Sequence, residues 1–177
     1  MEGSNMQKTT ELDKACLILN KVDGRDGLGK NLYETISRLT PSVSVELIIR
    51  DLRRKMTLLT WRDDELYGPG WHVPGGVVRF KEKLICRAEK VLEKEIGVKS
   101  AKISGPVGHH EIFNSERDKR GHFISFIYNV VLYSGLKHTE KISNDKIYAG
   151  DWRWFSVCPD NLIPNQEELR QYINADY

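Results

Sequence analysis

The strongest chemical feature of this 177-residue chain is a glutamate on the inward side of a helix. Residues 83–96 carry Leu84, Ile85, Ala88, Val91, Leu92 and Ile96 at helical spacing, and Gly97 follows as a stop. On a wheel of about 100° per residue, Glu95 falls within that apolar stripe. Glu89 and Glu93 point away with the lysines. A carboxylate on a core face is costly unless a metal ion or an arginine pairs with it. The helix is preceded by a turn-rich loop, Gly68-Pro69-Gly70-Trp71 and then Pro74-Gly75-Gly76. A short extended piece over residues 77–80 leads to Glu82.

Elements on both sides must position that stretch. Residues 43–49 alternate, with Val43, Val45, Leu47 and Ile49 on one face and Ser44 and Glu46 on the other, which predicts a strand. A second strand over 55–62 ends at Arg62. Residues 101–113 read as a long strand bent near Gly105-Pro106, and 114–121 as an exposed charged loop. Residues 123–133 are apolar on both faces, the mark of a central strand. A short strand rich in tryptophan at 151–157 and a closing helix at 164–173 complete the order. This succession predicts an α/β fold, an α/β/α sandwich around a mixed β-sheet.

The front of the chain differs in character. Residues 1–7 are polar and expected to be disordered, and a helix over 10–22 carries Leu12, Ala15, Cys16 and Leu19 on one stripe. The cluster Asp23-Gly24-Arg25-Asp26-Gly27 breaks it, and a second helix over 31–39 ends before Pro41. The chain thus divides into a helical extension, 1–40, and a domain, 41–177. The extension is expected to pack on the domain or to form a homodimer contact.

Composition narrows the partners. The formal net charge is +2 and no Lys/Arg block occurs, which argues against nucleic acid. No apolar run is long enough to span a membrane, and the polar start lacks the regions of a signal peptide. Cys16, Cys86 and Cys158 are far apart and in no metal-ligand spacing, so free, buried or half-buried thiols in a reducing cytoplasm are expected.

The loop and helix together resemble the Nudix box, in which Gly-Gly leads to a glutamate and then to a helix ending Glu-x-Gly-aliphatic. Gly76, Glu82, Leu92, Glu95, Gly97 and Val98 match it, and Lys90 stands where arginine is usual. Val91 and Lys94 replace two box glutamates. Beyond the box, the chain is similar to the GDP-mannose mannosyl hydrolase branch of that superfamily. The likeness rests on residues 39–46, on Arg62 ahead of residues 70–76, on the same two lost glutamates, and on Asp151-Trp152-Arg153-Trp154.

The resemblance implies a hydrolase of a nucleoside-diphosphate sugar that uses Mg2+ and attacks the anomeric carbon. It implies that Glu95 and the Gly75 carbonyl hold the ion, that Arg62 and Lys90 face the diphosphate, and that Glu46 stands on the sugar side. One inward carboxylate suits one magnesium completed by substrate oxygens and water. Trp71 and Trp152, with Trp154, are candidates to stack a base or sugar. The chain departs from the branch at Val77, where arginine is usual, and at residues 146–150, where a Gln-His pair supplies a ligand and the general base. Replacement bases are sought in His109, His110, Glu111, His138 and Asp145. Two other readings stay open: a pyrophosphohydrolase of another nucleoside diphosphate or triphosphate, and a non-catalytic nucleotide-sugar binding module.

Overall fold

The computed structural model describes residues 3–65, 67–133, 136, 140–141 and 146–174. In chain order it contains α1 (Gly3–Leu19), a 3-10 turn (Gly24–Asp26), α2 (Gly29–Ile36), β1 (Ser42–Asp51), β2 (Met56–Arg62), β3 (Gly70–His72) and β4 (Gly75–Val77). There follow α3 (Leu84–Ile96), β5 (Ala101–Phe113), β6 (His122–Leu132), β7 (Glu140–Lys141), β8 (Trp152–Phe155), a 3-10 helix (Pro164–Leu169) and α4 (Arg170–Ile173). The strands form one mixed sheet in the order β5-β6-β1-β2-β8-β7, with β4 on β1 and β3 on β2. The pairing of β1 with β6 is parallel. Strand β6 is central, as its apolar character on both faces requires. The bend in β5 is real: its register against β6 shifts between Ser104 and Gly108.

Two cores make the sandwich. On one face Val45, Leu47, Ile49 and Leu58 pack against Ala88, Val91 and Leu92 of α3. On the other, Ile48, Leu59, Trp71 and Val73 pack against Leu162, Leu169 and Ile173 of the C-terminal segment. Helix α3 ends where the sequence says, with Gly97 at φ 76° as a left-handed cap. The closing helix is in fact a 3-10 turn running into one turn of α-helix.

The site owes its existence to a fork in the sheet. Strands β1 and β2 pair only from Ile49↔Leu58 to Asp51↔Met56. Beyond that point β2 turns to β3, from Thr60↔His72 to Arg62↔Gly70. Strand β1 instead pairs with β4, from Ser44↔Val77 to Glu46↔Gly75. The two three-residue strands lie inside a Gly- and Pro-rich loop whose composition predicts only turns. They hold the strands apart, and the gap receives polar side chains that a continuous sheet would exclude.

The N-terminal extension behaves as two pieces, and α1 starts at Gly3, inside the stretch expected to be disordered. Residues 10–22 are exposed throughout, so the stripe Leu12, Ala15, Cys16 and Leu19 does not pack on this chain's own domain. Cys16 is correspondingly exposed rather than buried, whereas Cys86 is half-buried and Cys158 buried. From Gly24 onward the chain returns to the domain. The Tyr33 hydroxyl donates to Ser42 Oγ at 3.2 Å, and the Arg120 N–H donates to Ser37 Oγ at 3.0 Å. Lys119 pairs with Glu34 at 3.1 Å.

Candidate functional site

Two glutamates, Glu46 buried and Glu95 half-buried, arrive at the fork from different elements. Alternation along β1 turns Glu46 away from the α3 core, and it is 6% exposed. Gln166 Nε2 donates to its Oε2 at 3.0 Å, and Ser125 Oγ to its Oε1 at 3.4 Å. Burial pushes the Glu46 carboxyl up to about 8, the negative charge of Glu95 adding to it and the two hydrogen bonds and Arg62 opposing it. Glu95 comes in from the last turn of α3. Burial raises its carboxyl to about 7 against hydrogen bonds from Thr60 Oγ1, at 3.3 Å, and from the Gly75 backbone. Gly75 is needed where it stands, because a β-carbon there would collide with the Glu46 carboxylate.

His72 completes the group. Its Nε2 lies 3.2 Å from Thr60 Oγ1 and 3.8 Å from Glu95 Oε2. Burial, with Arg62 nearby, lowers its pKa to about 4, so the ring is neutral at physiological pH. A cavity of about 170 Å3 opens over Glu46, His72, Gly75 and Arg62, with Tyr67 and Gln166 among its walls. Arg62 sits at the end of β2, ion-paired with Asp64 and stacked 4.8 Å from the Tyr67 ring centre.

The structure brings Glu46, Arg62, Gly75 and Glu95 near one another, but it does not bring Lys90 to them. Lys90 Nζ lies 2.8 Å from Glu82 Oε1, on the solvent side of α3. The substrate-stacking expectation for Trp71 and Trp152 is likewise corrected. Trp71 is 3% exposed, held edge-on between Trp61 and Phe155, and Trp152 is 6% exposed in the α3-side core. Neither offers a free ring face. Among the proposed bases, His109 is exposed, His110 pairs with Glu168, and Glu111 bonds to His122 at 2.9 Å. His138 and Asp145 lie outside the described residues.

Sequence reasoning missed His72 and Gln166. His72 was open to discovery, because alternation next to a core tryptophan turns the following residue to the opposite face. Gln166 had no local signal. It reaches back to clamp Val73, accepting from its N–H at 2.6 Å and donating to its carbonyl at 3.2 Å while also holding Glu46. The segment carrying it is placed by strand-like bonds to Trp71, from Trp71 N to Asn161 O at 2.9 Å and from Ile163 N to Trp71 O at 2.8 Å.

The donor set fits one hard divalent cation. Burial, joined at Glu46 by the charge of Glu95, holds both carboxyls up near neutrality despite Arg62 nearby, and magnesium favours such oxygen donors. Among the described residues no group of three or more histidine, cysteine or acidic side chains is arranged to hold a metal. An ion here would therefore draw the rest of its shell from water or a ligand. Val91 shows why the box can lose a glutamate: it is buried and packs on Gly76, where a β-carbon would lie 2.8 Å from Val91 Cγ2.

Comparison with known proteins places this geometry. The fold is that of the Nudix hydrolases. A MutT structure from work on Aliivibrio salmonicida and Vibrio cholerae superposes with a TM-score of 0.54 at 19% identity, covering 78% of this chain and 100% of that one. A possible asymmetric diadenosine tetraphosphate hydrolase from Jonesia denitrificans gives 0.54 at 16% identity, covering 78% and 99%. In sequence, the chain is 33% identical over 104 residues to the low-salt glycan biosynthesis protein Agl8 of Haloferax volcanii. That match takes in 56% of this chain and 65% of the relative, a little under two thirds of its length. No family model matches the chain.

Proposed function

We propose that the protein is a magnesium-dependent Nudix hydrolase of a nucleoside-diphosphate sugar. The observation that carries this reading is the approach of Glu46, buried, and Glu95, half-buried, at the fork in the sheet, where burial raises both carboxyls against the charge of Arg62. Glu95 and Gly75 would hold the ion, with Glu46 beside them. Magnesium, when bound, neutralises a departing diphosphate. Arg62, fixed by Asp64 and Tyr67, presents a second positive charge to the same leaving group. Gln166 orients Glu46 and closes the loop at Val73. On placement, His72 is the candidate among the described residues to take a proton from the attacking water, since it lines the cavity and His109 and His110 do not.

A glycan-biosynthesis name on the sequence relative is in keeping with a sugar nucleotide as substrate. A cytoplasmic location is proposed on the three free thiols, which suit a reducing compartment. A second copy of the chain is its proposed partner, since Leu12, Leu17 and Ile18 of α1 are uncovered. The test is a panel of nucleotide sugars turned over with and without magnesium in oxygen-18 water. Label in the free sugar supports attack at carbon. Label in a nucleoside monophosphate or sugar phosphate assigns a pyrophosphohydrolase instead, and absence of any turnover assigns a binding module.

A further inference from the structure

A second cavity, of about 400 Å3, lies beside the first, and the N-terminal extension builds half of it. One wall is Gly24, Gly27–Gly29 and Tyr33; the other is Val77–Phe80, the stretch between the Gly-Gly pair and α3. The two walls are in contact at the back, where a β-carbon on Gly24 would lie 3.1 Å from Phe80 Cβ. Val77 and Arg120 line both cavities, so the two adjoin.

The lining says what fits. Tyr33 and Phe80 offer aromatic rings, and the run of glycines leaves flat space with exposed backbone groups. Phe80 is 63% exposed, so its ring is open to a ligand on this wall. Cations dominate the polar lining: Lys30, Arg79 and Arg120, against Glu34, which is already paired with Lys119. Arg120 stands at the junction, its guanidinium 5.6 Å from the Tyr33 ring centre and 5.3 Å from that of Tyr67. Its Nε is buried with no hydrogen-bond partner among the described residues. A buried donor left unmade costs free energy, which an anion arriving at the junction would recover.

From this we infer that the second cavity is the base-binding site of a nucleoside diphosphate. The planar base lies between the Tyr33 and Phe80 walls, and Arg120 takes the diphosphate where the cavities meet. The remaining end of the substrate then points to Glu46 and Glu95. The inference rests on the proposed reading of the first cavity as the reactive end, and it gives residues 24–36 a direct part in recognition.

Calorimetric binding to the full chain tests it, with the diphosphates of adenosine, guanosine, uridine and cytidine and with inorganic pyrophosphate as probes. At least one nucleoside diphosphate should bind ten times or more tighter than pyrophosphate. Phe80→Ala, at an exposed position, should weaken that nucleotide about tenfold, the loss of one stacking partner, and leave pyrophosphate unchanged. Tyr33→Leu should do the same, and Arg120→Met should weaken both probes. Equal binding of pyrophosphate and every nucleotide, or nucleotide affinity within twofold of wild type in both aromatic variants, overturns the inference. Either result can coexist with magnesium-dependent turnover, which is measured separately and bears on the first cavity alone.

Discussion

Glu82 and Glu95 belong to one motif and are both largely buried, yet their surroundings drive them in opposite directions. Around Glu82 the chain places Arg87 Nε at 2.7 Å, Lys90 Nζ at 2.8 Å and the Arg79 N–H at 3.0 Å. Burial opposes its ionisation, but the Lys90, Arg79 and Arg87 hydrogen bonds together hold its carboxyl down at about 2. Around Glu95 there are a threonine hydroxyl, a neutral imidazole and one backbone bond, and burial wins, raising it to about 7. The first glutamate is satisfied by the protein, joining the loop after β4 to α3. The second has no lysine or arginine in an ion pair with it among the described residues, and we propose it as the ligand of the metal. A carboxylate that the chain could have paired and did not is the better guide to chemistry.

Glu95→Gln gives the largest expected effect. It should lower magnesium-dependent turnover by about 100-fold or more while leaving the melting temperature level or higher, because it removes a charge that burial disfavours. Glu82→Gln should do the reverse. Its loss strands Arg87 and Lys90 and should cost about 3 kcal/mol of stability, with turnover of the folded enzyme changed only a few-fold. A drop in activity from Glu82→Gln as deep as that from Glu95→Gln would erase the distinction.

The two environments also separate in pH. Glu46 and Glu95 stay protonated in the metal-free fold up to about 8 and 7 but ionise near the ordinary 4.5 when unfolded. Between those values the folded state binds more protons, so stability should fall as pH rises from about 5 to 8. Glu82 is ionised in the fold down to about 2, so its contribution is present above 4.5 and lost as pH falls from there toward 2. Thermal melts across pH should show a maximum near pH 5, and Glu46→Gln should flatten the neutral limb alone. A neutral limb unaltered in that variant would contradict the assignment.

The smallest effect belongs to Lys90→Met. Lys90 is exposed and tied to Glu82, so the change should cost about 0.5 kcal/mol and leave KM unaltered. A KM raised tenfold would instead return Lys90 to the diphosphate.

What the sequence made legible follows from how local each signal is. The inward position of Glu95, the cap at Gly97 and the bend at Gly105-Pro106 are written within one element, and all three are found in the fold. The role of Lys90 is not local. It depends on where the loop carries Glu82, and motif position alone assigns the lysine to the wrong partner. Trp71 and Trp152 sit on core faces because of the fork in the sheet and the pairing of β8 with β2, neither of which alternation reveals. Gln166 and the wall formed by residues 24–33 reach the site from the far ends of the chain, and only the tertiary fold brings them there.

The central claim is that Glu95, and not Glu82, waits for a cation. Manganese serves as a paramagnetic stand-in for magnesium, and its binding in the presence of a nucleoside diphosphate can be counted by electron paramagnetic resonance. The account predicts one manganese per chain in the wild type, one in Glu82→Gln, and none at the same concentrations in Glu95→Gln. A manganese retained by Glu95→Gln and lost from Glu82→Gln would contradict it.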